Sequence, residues 1–330
     1  MIQHIIPVVE NVQLAERTHR LRLADPEIGS RILPGQFVML RIPGQTDPLL
    51  GRPFALYDTY FDGSGAVAGY DLVYLVVGKM TSAMSRLVPG DPVEVWGPLG
   101  NGFTLTPTGH LLMVAGGIGQ TPFPAVARAY LGLRRYGSGR RAEEGSGFRV
   151  QGSGEQEQRP VVAFDSQSPT THHSPLTTHQ PHSTLSTLHS PPSHLDPLTE
   201  LITLCYGVRT AAYLAGLDDF RDLGVPVAIA TDDGSAGHRG FVTDLVQEAL
   251  KGDCPPTLLL GCGPEPMMHK LAEIASAAGV PCELSLETPM ACGIGACFSC
   301  VAKIRQDGGQ WDYRRVCVDG PVFDASSVVF

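Results

Sequence analysis

Cys292, Cys297 and Cys300 fall within MACGIGACFSCVAKI, and Cys317 follows in RRVCVDGPVF, a C-x4-C-x2-C-x16-C spacing. Thiolates are soft ligands suited to iron and zinc. Three ligands on one short loop and a fourth further on is a spacing that holds a [2Fe–2S] cluster. Gly293 and Gly295 interleave the thiols and let the backbone curl, because glycine tolerates positive φ. Ala291 and Ala296 are small enough for backbone N–H groups to approach the sulfides, and such donors help set a cluster's potential. The rival reading is a zinc held by four cysteines, which usually shows two C-x2-C pairs where this chain has one. Cys205, Cys254, Cys262 and Cys282 are scattered, and three of them read as small buried hydrophobes.

A cluster passes single electrons, so something must supply or accept them. GRPFALYD, at 51–58, offers an arginine at a strand end, whose guanidinium fork suits a pyrophosphate. VVGKMTSAMSRLVPGD adds a turn at Gly78 and then Thr81 at the start of a helical stretch, where N–H donors meet a phosphate or where Thr81 is simply a cap. AGGIGQTP, at 115–122, and GCGPEPMM, at 261–268, each follow an apolar strand and open a helix. Neither is a G-x-G-x-x-G fingerprint, yet both let a ligand approach backbone. TDDGS, at 231–235, follows a third strand. Its acids suit ribose hydroxyls, or Asp232 to Gly234 form only a turn.

The elements that must carry these loops fall into three parts. Residues 1–105 hold short β-branched or aromatic runs (FVMLRI, DLVYLVV, DPVEVW) separated by turns, the pattern of an antiparallel β-barrel. Residues 106–280 alternate strands with helices, which implies a parallel sheet with ligands at the carboxyl ends of its strands. Residues 281–330 form a small domain organised by the cysteines. Within the second part, about 137–199 is rich in Gly, Ser, Thr, Pro, Gln and His, and six histidines (172, 173, 179, 182, 189 and 194) fall there. That composition cannot bury enough apolar surface to offset ordering, so it reads as an insertion, with RPVVAFD its one candidate ordered stretch. A His-rich tract can also bind metal.

The net charge of -9, with 43% hydrophobic and 17% charged residues, argues against a nucleic-acid partner. No run approaches the ~18 apolar residues of a membrane helix, and MIQHIIPVVE lacks the basic start of a signal peptide. A cytoplasmic, reducing setting is expected, where clustered cysteines serve metals or catalysis.

Taken in order, barrel, RPFA, GKMT, GGIGQTP, TDDGSAGHRG, GCGPEPMM, MACGIGAC-x-x-C and VCVDGPVF resemble the electron-transfer subunits of NAD-dependent dihydroorotate dehydrogenase (type B), in the ferredoxin–NADP reductase superfamily. The resemblance covers nearly the whole chain outside the insertion. It implies FAD on the barrel, with Arg52, Pro53, Phe54 and Ala55 at the flavin, Val73, Tyr74 and Leu75 on a second contacting strand, and Met80 and Thr81 at the pyrophosphate. Ala55 replaces the usual serine and Met80 the usual glycine. It implies NAD over Gly116, Gly117, Gly119, Gly261, Cys262 and Gly263, with Cys262 near the nicotinamide, and Cys292, Cys297, Cys300 and Cys317 as cluster ligands. It further implies a catalytic FMN-containing partner that oxidises dihydroorotate in pyrimidine biosynthesis, in a heterotetramer of two of each subunit, and no catalytic acid–base residue in this chain. The alternative is the iron–sulfur flavoprotein subunit of a ferredoxin–NADP oxidoreductase or sulfide dehydrogenase complex.

Overall fold

The computed structural model of the chain describes residues 2–106, 109–137 and 201–330. The insertion from residue 138 onward, with RPVVAFD and the six histidines, lies outside the described residues.

Six antiparallel strands close a barrel in the order β1-β2-β5-β4-β3-β6. They are β1 (Ile2–Ala15), β2 (Thr18–Leu23), β3 (Phe37–Arg41), β4 (Arg52–Phe61), β5 (Val67–Leu75) and β6 (Pro92–Leu99). Closure removes the free edges that an open sheet would expose. The short helices α1 (Pro26–Gly29) and α2 (Lys79–Met84) lie between strands. Leu21, Leu23, Val38, Leu40, Leu56 and Leu72 are fully buried in the barrel's interior cluster.

The second part is a seven-stranded sheet in the order β10-β9-β8-β7-β11-β12-β15. Its strands are β7 (Leu111–Gly116), β8 (Ile202–Val208), β9 (Val227–Thr231), β10 (His238–Arg239), β11 (Leu258–Cys262), β12 (Cys282–Ser285) and β15 (Val322–Asp324). All pair in parallel except β15, which runs antiparallel to β12. Every residue of β7 and β11 is buried, as expected for central strands covered on both faces. The cover comes from α3 (Phe123–Tyr130), α4 (Leu217–Asp222), α5 (Val242–Ala249) and α6 (Glu265–Ala278). The order reverses between β7 and β11, and that switch point is where open α/β sheets bind ligands.

The C-terminal portion gives β12 and β15 to the sheet. A separate hairpin, β13 (Val301–Arg305) with β14 (Trp311–Arg315), stands beside the cysteine loop. Among the described residues no helix is long and apolar enough to cross a membrane.

Candidate electron-transfer site

The cysteine loop curls as its glycines allow. Gly293 and Gly295 have φ of +73° and +81°. A Cβ on Gly293 would lie 2.5 Å from Cγ of Met39 on β3, so only glycine lets the loop rest on the barrel wall. Cys300 and Cys317 are each 1% exposed, whereas the Cys297 thiol stands at the surface. The thiols lie near one another: Cys297 neighbours Cys292, and Cys317 neighbours Cys300 and Cys292.

Backbone N–H groups point at the sulfurs. Ile294 N lies 3.4 Å from Cys292 Sγ, and Gly295 donates to Cys317. The Ser299 hydroxyl, 3.1 Å from Cys297 Sγ, joins with the Ser299 backbone N–H to lower the Cys297 pKa to about 6. Burial, followed by the neighbouring Cys300, pushes Cys317 up to about 12. Among the described residues no three metal-binding side chains gather about a single ion position. Four thiols with N–H donors directed at sulfur, three of them on one loop, fit an iron–sulfur cluster.

A cleft of about 950 Å³ opens at the sheet's switch point. Of the nucleotide-site residues expected from sequence, Leu75, Gly116, Gly117 and Gly263 line it, and Asp232 does too. Gly119, Gly261 and Cys262 lie behind its wall. A Cβ on Gly119 would sit 2.1 Å from the Cys262 carbonyl oxygen, and one on Gly261 2.6 Å from Leu271. These two glycines serve close packing of strand, turn and helix. Cys262 is 5% exposed; burial raises its thiol pKa, and a hydrogen bond with Ser285 opposes that. Asp233 spends its carboxylate on Ser235, at 2.9 Å from N and 2.6 Å from Oγ, so the turn reading holds for Asp233 and leaves Asp232 facing the cleft.

On the barrel, Arg52 Nη1 donates to the carbonyls of Leu50 and Gly51 at 3.0 and 2.9 Å. Phe54 and Tyr74 are buried in the barrel cluster and meet edge to face at 6.1 Å, and Val73 is 3% exposed. These side chains build the wall instead of lining the cleft. Pro53 and Ala55 are half-buried on β4. Thr81 Oγ1 accepts from Val77 N and Gly78 N at 2.9 and 3.1 Å, so it caps the turn at the start of α2. Met80 is 3% exposed within the barrel cluster; the methionine in place of glycine turns inward and leaves the turn open. A Cβ on Gly78 would meet nothing within 4 Å, so the turn is open on that side.

Arg17, Tyr206, Arg209, Phe241, Lys270 and Glu287 also line the cleft and were not anticipated. Arg17 hydrogen-bonds the Val76 carbonyl at 2.5 Å. Desolvation raises the Glu287 pKa. Arg209 and Glu287 follow the ends of β8 and β12, where the rule of ligands at carboxyl ends points. Arg17 and Phe241 carry no comparable motif.

The closed barrel, the sheet with its switch-point cleft and the cysteine loop define a reductase of the ferredoxin–NADP reductase fold class. The solved structure of an NADH-dependent reduced ferredoxin–NADP oxidoreductase, studied for flavin-based electron bifurcation, superposes with a TM-score of 0.68 at 25% identity, over 99% of this chain and 90% of that one. A ferredoxin NADP+ reductase from Neisseria gonorrhoeae shares the fold at a TM-score of 0.54.

Sequence comparison narrows the class. The profile of the iron–sulfur cluster binding domain of dihydroorotate dehydrogenase B matches residues 287–329. The dihydroorotate dehydrogenase B (NAD(+)) electron transfer subunit of Caldanaerobacter subterraneus subsp. tengcongensis is 30% identical, over 92% of this chain and 89% of its own length. The subunit of the same name from Bacillus caldolyticus is 32% identical over 96% and 94%. The chain belongs to the family of dihydroorotate dehydrogenase B electron transfer subunits. It is an oxidoreductase subunit, and the relatives favour this reading over the alternative complexes.

Proposed function

We propose that this chain carries electrons from a dihydroorotate-oxidising FMN subunit, through a [2Fe–2S] cluster and FAD, to NAD+, in pyrimidine biosynthesis. The gathering of four thiols, three on a loop packed against the barrel and Cys317 just past the β13–β14 hairpin, carries the reading. When bound, the cluster supplies one-electron transfer and the flavin converts it to hydride transfer. Cys292, Cys297, Cys300 and Cys317 would hold the cluster. Ile294, Gly295 and Ser299 supply N–H or O–H donors to their sulfurs.

The segment Arg52 to Ala55, the strand Val73 to Leu75 and the turn Met80–Thr81 would hold FAD. Backbone, more than side chain, meets it at the second strand and the turn. Gly116, Gly117 and Gly263 would admit NAD at the switch point, with Asp232 placed for a ribose. Gly119, Gly261 and Cys262 support that wall from behind. No residue of the chain is needed as a general acid or base for dihydroorotate.

The partner would dock over the exposed Cys297. Ile294, Phe298 and Val318, at 47%, 64% and 43% exposure, surround that edge with apolar surface. We place the assembly in the cytoplasm as a heterotetramer of two of each subunit, where the free thiols stay reduced.

The test is to add a dihydroorotate-oxidising FMN subunit and follow NADH formation on dihydroorotate. Turnover that needs both chains supports the reading. A yellow-brown preparation that reduces NAD+ only from another donor would move it to the alternative complexes.

A further inference from the structure

Resting on the reading above, we propose that Trp96 is a positioning residue that sets the cluster loop against the flavin-binding strand. Its indole Nε1 donates to the carbonyl oxygen of Cys292 at 2.9 Å, across 196 residues of chain. The far edge of the same ring rests on Gly51, the residue before Arg52: a Cβ there would lie 2.6 Å from Cη2 of Trp96. One rigid side chain therefore touches both the first cysteine and the turn that starts the RPFA segment.

The strand register shows that this is no isolated contact. Trp96 on β6 stands opposite Met39 on β3, and Met39 stands opposite Pro53 on β4. Residues directly opposed across antiparallel strands share a face. That face carries the cysteine loop, since Met39 is the residue against which Gly293 packs. One rung thus runs from the ring that holds Cys292, through the side chain under Gly293, to Pro53. The cysteine loop is one strand removed from the flavin segment, and an electron's transit depends steeply on that separation. Trp96 itself is neither oxidised nor reduced.

A sheltered indole N–H needs an acceptor wherever it sits, so what marks Trp96 is which acceptor it takes. Trp96 is half-buried, and its polar atom is directed at the carbonyl of a proposed ligand residue. Outer-shell hydrogen bonds of this kind orient ligands and tune the metal.

The test is Trp96→Phe, which keeps a ring and deletes the donor. Iron and flavin content and NADH oxidation by an acceptor that draws directly on flavin should stay near wild type. Reduction of the cluster by NADH in anaerobic stopped flow should slow about tenfold or more, with a changed EPR line shape and shifted midpoint potential. Unchanged rate, line shape and potential in an iron-replete variant would overturn the proposal. If Trp96→Phe loses its iron, Gly51→Ala decides, because it keeps the indole and pushes it from the opposite edge. A changed EPR signal there supports the positioning role, and an unchanged one overturns it. Wild-type protein without iron or flavin would instead refute the electron-transfer reading itself, so the two failures are distinguishable.

Discussion

The Tyr57 phenol, on barrel strand β4, donates to the carboxylate of Asp219, on helix α4 of the sheet domain. Burial, then the nearby Asp219 charge, raises the Tyr57 pKa, so the phenol stays a neutral donor. Asp219 also faces Arg128 at 3.8 Å, and Arg128 reaches Asp58 at 3.2 Å. Arg134 and Tyr136 close on the same Asp58 at 2.5 and 2.6 Å. These groups tie barrel to sheet. Tyr57→Phe should lower stability by about 1–2 kcal/mol, read as a shift of the urea midpoint. An unchanged midpoint would show that Asp219 finds an equal partner in water.

The four clustered cysteines and the scattered ones should respond differently. Cys297→Ser is expected to lose the iron while keeping the flavin, measured as metals per chain alongside the flavin absorbance. Cys205→Ala is the control: Cys205 is 2% exposed within the sheet core. It should keep its iron and lose about 1–2 kcal/mol as a truncated core residue. Full iron in the Cys297 variant would remove it from the ligand set.

Nucleotide choice should rest on Asp232. Its exposed carboxylate lines the cleft past the end of β9, where under the proposed function it would accept from ribose hydroxyls and repel a 2′-phosphate. Asp232→Ser should raise kcat/KM for NADPH relative to NADH by about tenfold, a change of about 1.4 kcal/mol. An unaltered ratio would move the ribose elsewhere, with Arg209 the next residue to test.

Barrel stability should carry a pH signature from Glu94. Arg41 at 2.5 Å and Gln3 at 2.6 Å hydrogen-bond its carboxylate. The bond to Arg41 lowers its pKa from 4.5, burial opposing. A depressed carboxylate stabilises the fold fully above its unfolded pKa and loses that contribution as pH falls through the folded value. Glu94→Gln should therefore cost stability at pH 7, about 1 kcal/mol given that Arg41 is well exposed. The gap from wild type should close below pH 4.5. A gap that persists into acid would assign the effect to packing.

The cysteine loop was legible because glycine spacing and thiol spacing encode its geometry locally, and Gly293 and Gly295 adopt the positive φ their type allows. The sheet was legible because GGIGQTP and GCGPEPMM each follow a run apolar enough to be a central strand. The division of labour among glycines was not, since the packing partner of Gly119 is a carbonyl 143 positions away, at Cys262. Nor was the inward turn of Met80, because which face a helical residue presents depends on where the barrel lies. Arg17 and Phe241 escaped for the same reason: distant segments converge on the cleft, and neither residue belongs to a motif.

Two glycines of one loop give the sharpest separation of packing from binding. A Cβ on Gly119 would sit 2.1 Å from the Cys262 carbonyl oxygen and 2.8 Å from Gly263 N. Both are backbone atoms of a central strand and its turn, which cannot yield without moving β11. Gly119→Ala should therefore destabilise the sheet domain by about 3 kcal/mol or more, as overpacking does in a rigid core. Gly117 has φ of +56° and nothing within 4 Å of its would-be Cβ. Gly117→Ala should cost only the left-handed backbone penalty of about 1–2 kcal/mol. Its methyl, however, would project into the cleft at the proposed nucleotide site, so KM for NADH should rise with the flavin spectrum unchanged. Thermal melts and NADH titrations of the two variants check this. An unaltered KM for Gly117→Ala would place the nucleotide away from this loop.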